Sequence, residues 1–295
     1  MKEYHDLVKL VIEHGVRKPT RTGIDTISYF GAFYKVDLSK GFPLLTTKKM
    51  EWKSILYEVL WYLKGEEHIR NLKQHTKIWD AWADEQGRLQ TAYGRFWRRF
   101  PVPEKSVALD GEVFLDESNP FVKREENGSL TFDQIAWVIN EIKRNPYSRR
   151  LVITAWHPAN AVISKLPPCH YTFAFNVSDG KLNCHLTQRS GDIALGIPFN
   201  LAAYSLLTQI IAQETNLELG IFAHTIIDAH IYVAEKGSPN EKYDHLEGLK
   251  LQLTREPYPL PKLIITKKPI DELTFEDFQL IDYVHHPKIK FEVAV

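Results

Sequence analysis

Two cysteines occur in this chain, and each precedes a histidine: Cys169-His170 in LPPCH (166–170) and Cys184-His185 in KLNCHLTQR (181–189). A sulfur can be a nucleophile, a metal ligand or core filler, and its neighbours decide which. Side chains alternate across an extended segment, so Leu182, Cys184 and Leu186 share one face while Asn183, His185, Thr187 and Arg189 share the other. Cys184 therefore reads as core. The same alternation turns Cys184 away from His185, and no C-x-x-C spacing is present, so a zinc site is not expected. Cys169 differs, because Pro167 and Pro168 have no N–H to give a β ladder. That places it at the entrance of the following strand, where a side chain can face a cavity. Burial as a small hydrophobe is the plainer alternative for any free cysteine. Against it stands QRSGDIALGIPFN (188–200), which brings Arg189, Ser190, Asp192 and Asn200 close behind the strand. In it, Gly191 and Gly196 permit close backbone approach to a ligand. A cation beside a thiol lowers its pKa and enlarges its thiolate fraction. Taken singly, Arg189 is a solvated charge and Asn200 a helix cap; clustered, they point to a thiolate beside an anion site.

These residues need elements to hold them. WKSILYEVLWYLKG (52–65) has apolar positions at helical spacing and stops at Gly65. PFNLAAYSLLTQIIAQETN (198–216) reads as a second, longer and mostly apolar helix with Pro198 near its start. Both are expected to be buried. RRLVITAW (149–156), YTFAFNV (171–177) and KLNCHLTQRS (181–190) are rich in β-branched or aromatic residues and read as strands, the last two joined by SDG (178–180) as a hairpin. The fold class is α+β. On the first helix Ile55, Leu56, Val59, Leu60 and Leu63 form the main stripe, and Glu58 falls on the other side beside Trp61 and Tyr62. That predicts a partly buried carboxyl with a raised pKa, suited to proton relay; a salt-bridged helix glutamate is the alternative.

With 44% hydrophobic and 12% aromatic residues, 295 residues can bury one large core, and the chain reads as a single domain spanning 1–295. Lys+Arg and Asp+Glu are 37 each, so no overall field recommends nucleic acid or an anionic membrane as the main partner. The start, MKEYHDLVKL, lacks the pattern of a signal peptide, and Glu58, Thr208 and Gln209 interrupt the apolar runs well short of a bilayer span. The expected location is cytoplasmic, without a disulfide framework. One stretch, about 102–130, is rich in acids, Asn, Gly and Pro without apolar periodicity and reads as a surface insertion.

The short segments RTG (21–23), FPLLTTKK (42–49), IWDAWADE (78–85), YGRFWR (93–98), SRR (148–150), PPCH (167–170), QRSGD (188–192), LGIPFN (195–200), DAHIY (228–232) and the terminal VAV together resemble the folate-dependent thymidylate synthases that use a cysteine nucleophile. The resemblance spans nearly the whole chain apart from the 102–130 insertion. It implies a three-layer α/β fold with a large mixed β-sheet and a homodimer packed through its sheets. It also implies methylation of dUMP to dTMP with 5,10-methylenetetrahydrofolate and no metal.

Carried over residue by residue, the resemblance makes Cys169 the nucleophile, Glu58 a proton relay, Tyr93 a helper in removing the C5 proton through water, and His170 a support beside the thiol. Arg21, Arg189 and Ser190 would hold the phosphate, with Arg149 and Arg150 reaching across from the other subunit. Guanidiniums suit a dianion because their forked donors are permanently charged. On a strand these two neighbours would point to opposite faces, which leaves one of them a structural alternative. Asn200 would read the O4 and N3–H edge of uracil with one donor and one acceptor. His230 and Tyr232, at i and i+2, would share a face toward the ribose. Asp192 belongs to the nucleotide side and also bonds the pterin, Ile78 and Trp79 stack near the folate, and Val295 closes over it.

Some positions depart from the family pattern: Ile226 and Ile227 stand where Gly-Gly is common, Phe96 where Gln is common, and His157 where Asn is usual. They keep open a nucleotide 5-hydroxymethylase of the same superfamily, in which water captures the exocyclic methylene. A cysteine hydrolase would need a separate base and oxyanion donors, and a nucleotide-binding module without catalysis would need neither Cys169 nor Glu58.

Overall fold

The computed structural model describes residues 1–89, 92–103 and 115–294. Val295 and part of the 102–130 stretch, residues 104–114, lie outside them. Around a seven-stranded mixed sheet the strands run in the order Val16–Lys18, Asp25–Asp37, Glu218–Val233, Lys181–Gln188, His170–Ser178, Val152–Thr154, and Gly191–Asp192 pairs with the far end of Glu218–Val233. Pairing is antiparallel except where Glu218–Val233 runs parallel to Lys181–Gln188 and to Gly191–Asp192. The hairpin expected at SDG is present, with Ser178 opposite Lys181. Asp179 and Gly180 take φ of 53° and 69°, a left-handed pair that matches the twist of the flanking strands.

One face of the sheet builds the core. Leu182, Cys184 and Leu186 alternate inward, opposite Phe173, Phe175 and Val177 from the neighbouring strand. The helices Trp52–Leu63 and Gly196–Glu214 cover them, packing on each other and, through the second, on the sheet. The longer helix is apolar on nearly every side because it is enclosed. Cys184 is core as expected, 1% exposed, and burial pushes its thiol up to about 12. The opposite face is open, with Phe30 84%, Phe33 51% and Val152 48% exposed. Among the described residues no helix is long and apolar enough to cross a membrane.

Three details differ from expectation. The strand expected at 149–156 is confined to Val152–Thr154, so Arg149 and Arg150 precede it and the face-alternation argument does not apply to them. The second long helix begins at Gly196, two residues before Pro198, so Asn200 sits inside its first turns and is not its cap. The 102–130 stretch is not wholly irregular, since Val122–Arg124 and Leu130–Phe132 form a three-stranded sheet with Phe100–Pro101.

Two of the departures from the family pattern, Phe96 and Ile226, lie in the interior, while His157 and Ile227 are half-buried. Phe96 is fully buried and stacks on His157, with centroids 6.1 Å apart and planes at 15°, and His157 Nδ1 accepts from Asn160 N–H at the start of the helix Pro158–Ile163. Ile226 is fully buried over Gly191, where a Cβ would lie 3.0 Å from Ile226 Cγ2 and 2.5 Å from Ile197 Cδ1. The large residue at 226 thus occupies space that the glycine at 191 leaves. Gly191→Ala is expected to lower stability by about 1–3 kcal/mol through overpacking, read by denaturant unfolding. A stability equal to the parent's would contradict this packing.

Candidate active site

Cys169 is presented by the turn that leads into His170–Ser178, and that turn is held from outside because its prolines cannot hold it. The Cys169 N–H donates to Tyr93 Oη at 2.7 Å, and its carbonyl accepts from Arg189 N–H at 2.8 Å. The Arg189 guanidinium donates from Nε to Pro168 O (2.9 Å) and from Nη2 to Pro167 O (2.6 Å). The thiol itself is partly exposed. Its protonation differs from the sequence expectation. Burial pushes the thiol above its ordinary value, and Arg189, Tyr93 and Arg21 offset this only in part.

A cavity of about 980 Å³ opens in front of this sulfur. Cys169, Glu58, Tyr93 and His170 line it, as do Arg21, Arg189, Ser190, Asp192, Asn200, His230 and Tyr232, and Ile78 with Trp79 forms an apolar wall. Residues scattered from position 21 to position 232 therefore meet in one place. Arg149 and Arg150 do not; they are exposed and outside the lining. Val295 lies outside the described residues, while Val293 and Ala294 just before it line the cavity. None of Phe96, His157, Ile226 and Ile227 is among the lining residues, so the departures reshape the packing behind the cavity.

Two titratable groups are set by burial. Glu58 is 7% exposed, and burial pushes its carboxyl up to about 7 against a hydrogen bond of 2.8 Å from Trp79 Nε1 that pulls the other way. Trp79 thus both walls the cavity and orients the carboxyl. His170 is pushed down to about 3 by burial, which keeps it neutral. Its ring lies flat on Tyr93, centroids 3.7 Å apart and planes at 4°, and its Nδ1 is 2.7 Å from Tyr204 Oη. That geometry holds Tyr93 in place, and the lowered value makes His170 a weak base.

On the opposite wall Asp228, His230 and Tyr232 project from alternate positions of Glu218–Val233. Asp228 binds Lys18 Nζ and accepts from Ser28 Oγ at 2.7 Å. Asp192 Oδ1 accepts from the N–H groups of Ala194 (2.8 Å) and Leu195 (3.3 Å). Burial alone would raise this carboxyl, but His245, His230 and the Ala194 amide hold it below the usual range.

Several contributors escaped the sequence reading. A buried relay runs from Tyr34 Oη to His224 Nδ1 (2.9 Å), from His224 Nε2 to Gln188 Oε1 (3.0 Å), and from Gln188 Nε2 to Ser190 O (2.9 Å). It fixes the loop that carries Arg189 and Ser190. Lys48, 4% exposed and pushed down to about 8 by burial, donates to Ala194 O at 2.5 Å. Trp82 and Phe199 extend the apolar wall. Neither Gln188 nor His224 stands out in the sequence, and that they bond each other follows only from the register pairing Gln188 with Ile226 and Leu186 with His224.

A sequence model of the family described as Thymidylate synthase matches residues 2–295. A protein named thymidylate synthase from Haloferax volcanii is 50% identical across a match that covers 98% of this chain and 95% of that protein.

Proposed function

The chain belongs to the thymidylate synthase family, and from that premise we propose that the cavity before Cys169 performs the reductive methylation of dUMP to dTMP, a methyltransferase reaction with a reduced folate as co-substrate. The single observation that carries this reading is the convergence of Cys169, Glu58, Asn200 and Arg189 on one cavity walled by Trp79.

Carbon 5 of uracil is a poor nucleophile. Cys169, as thiolate, adds to carbon 6; the C5–C6 π electrons move toward O4, and the resulting enolate makes carbon 5 nucleophilic. Because burial raises the thiol in the free protein, Arg189, Tyr93 and Arg21 are the groups that favour its ionised form. When bound, 5,10-methylenetetrahydrofolate supplies the one-carbon unit and the hydride. The lining fits such a ligand: Ile78, Trp79, Trp82 and Phe199 offer faces for flat rings, and the Asp192 carboxylate offers an acceptor for pterin N–H groups. Glu58, poised near neutrality, holds and returns protons at the pyrimidine and the folate, and Tyr93 assists removal of the C5 proton. The apolar wall and the C-terminal residues keep water from the exocyclic methylene, which favours hydride capture over hydroxymethylation.

Arg21, Arg189 and Ser190 bind the phosphate, and His230 and Tyr232 bind the ribose. We place a second copy on the open sheet face around Phe30, Phe33 and Val152, whose exposure suits a homodimer. Arg149 and Arg150, exposed in the single chain, then reach the partner's phosphate. The chain acts as one catalytic domain in the cytoplasm, where its two free cysteines stay reduced.

Purified enzyme with dUMP and methylene-folate is expected to form dTMP and dihydrofolate one for one, read by mass spectrometry and absorbance. A product heavier by one oxygen, with tetrahydrofolate left unoxidised, would instead mark a hydroxymethylase. Asn200→Asp is expected to weaken use of dUMP by about tenfold or more and to improve binding of the cytosine nucleotide, because a carboxylate repels O4 and, once protonated or paired, suits an exocyclic amine. Unchanged preference in competition binding would remove Asn200 from base recognition.

A further inference from the structure

Behind the cavity one buried titratable group has no role in the steps above. His245, at the N-terminal flank of the helix Leu246–Leu253, is 0% exposed, and its two ring nitrogens face two different parts of the chain. Nε2 lies 2.9 Å from the backbone oxygen of Glu292. Nδ1 lies 3.6 Å from Asp192 Oδ1, within ion-pair range but too long for a hydrogen bond, and has no hydrogen-bond partner among the described residues. Both facing atoms are acceptors. A neutral imidazole has one N–H and must turn a lone pair toward one of them, whereas an imidazolium donates toward both.

The segment that His245 grips is seated. Phe291 meets the His245 ring edge-on at 5.1 Å and lies under Lys48 Nζ at 4.7 Å. Gly248 leaves the slot for it: a Cβ there would come within 2.5 Å of Phe291 Cε1 and 3.1 Å of Ile289 Cγ2. Past Glu292 the chain enters the cavity lining at Val293 and Ala294. On the other side, the Ala194 and Leu195 amides and His245 all approach the same oxygen of Asp192, Oδ1, which leaves Oδ2 for a ligand.

We propose that His245 is a positioning residue that ties the C-terminal segment at Glu292 to the carboxylate of Asp192, so that the order of the chain end and the affinity for the folate are set together. This rests on the reading of Asp192 and the chain end as folate contacts. Charge around the ring supports it. Burial and the Lys48 ammonium oppose protonation, but the Asp192 carboxylate and the Glu292 carbonyl outweigh them and hold His245 above its ordinary value. Tyr232, the ring's other neighbour at 5.7 Å, is neutral near pH 7 because burial raises it. The Glu292 side chain pairs with Lys290. The sign follows: the tie is complete where His245 is protonated and Asp192 is ionised, and is lost as pH rises through the raised value of His245.

The test uses His245→Gln in the full-length enzyme, with a melting curve to show that it is folded. The folate KM is expected to rise about tenfold, the loss of one charge-assisted contact, while the dUMP dissociation constant changes less than about twofold on the same scale. In the wild type the folate KM should climb with pH above the ordinary imidazole range, whereas in His245→Gln it should be high and flat. Carboxypeptidase should release the terminal residues of the variant faster in the presence of 5-fluoro-dUMP and methylene-folate. A folded His245→Gln with unchanged folate KM and unchanged carboxypeptidase release, or with equal losses for dUMP and folate, overturns the proposal. Asp192→Asn separates the two levels. If it raises the folate KM while His245→Gln does not, only the role of His245 fails; if it too leaves the folate KM unchanged, the reading of Asp192 fails and takes the proposal with it.

Discussion

Cys169→Ser should lose more than about three orders of magnitude in kcat and still bind dUMP within a few-fold of the parent. The serine hydroxyl fits the same turn, held by Tyr93 and Arg189 through backbone atoms of residues 167–169, so the binding surface is retained. What changes is the nucleophile, because an alcohol is not ionised by the arginines that favour the thiolate. Cys184→Ser is the matched control. Its sulfur is 1% exposed on the inner face of the sheet, and a hydroxyl there is expected to cost about 1–3 kcal/mol of stability with kcat per folded molecule preserved. Isothermal titration with dUMP, steady-state kinetics and denaturant unfolding on both variants decide the matter. Equal loss of turnover in the two folded variants would detach the chemistry from Cys169.

Glu58→Gln should lower kcat by about 10²–10⁴-fold, with a smaller effect on nucleotide binding. Trp79 Nε1 can still donate to the amide oxygen, so orientation survives while the titrating proton is lost. With the carboxyl raised to about 7, wild-type kcat should show a limb near neutrality that the variant lacks. Stability carries the same signature. A carboxyl whose folded value exceeds its unfolded value of 4.5 imposes no penalty below that value and a growing one as pH rises through about 7. Glu58→Gln should therefore match the wild type near pH 4.5 and exceed it by about 1–3 kcal/mol at pH 8. A pH-independent difference in stability, or a kcat limb retained by the variant, would show that Glu58 is not the titrating group.

Much of the fold was legible because its signals are periodic. Alternation in KLNCHLTQR placed Cys184 inside, and the apolar run at 198–216 located the central helix to within two residues at each end. Local signals failed where tertiary pairing decides. RRLVITAW reads as a strand throughout, but only Val152–Thr154 finds a partner in His170–Ser178, leaving both arginines outside it. The thiol's raised value is not legible in the sequence, because one nearby cation is visible there and the enclosing protein is not. His245 and Lys48 are hidden for a related reason: each looks like a surface residue until the strand and the C-terminal segment enclose it, and no spacing in the sequence links 245 with 292 or 48 with 194. The pairing of Ile226 with Gly191 likewise depends on a strand register that joins distant segments.

The most direct measurement is the mass of the complex formed with 5-fluoro-dUMP and methylene-folate. Fluorine at carbon 5 cannot leave as the proton does, so the sequence stops after the sulfur has added at carbon 6 and the one-carbon bridge has formed. Denaturing mass spectrometry is expected to show protein, nucleotide and folate in one covalent species, and proteolysis should map the modification to the peptide carrying Cys169, with none on the peptide carrying Cys184 and none in Cys169→Ser. A complex that falls apart on denaturation, or an adduct on any other residue, would contradict the account.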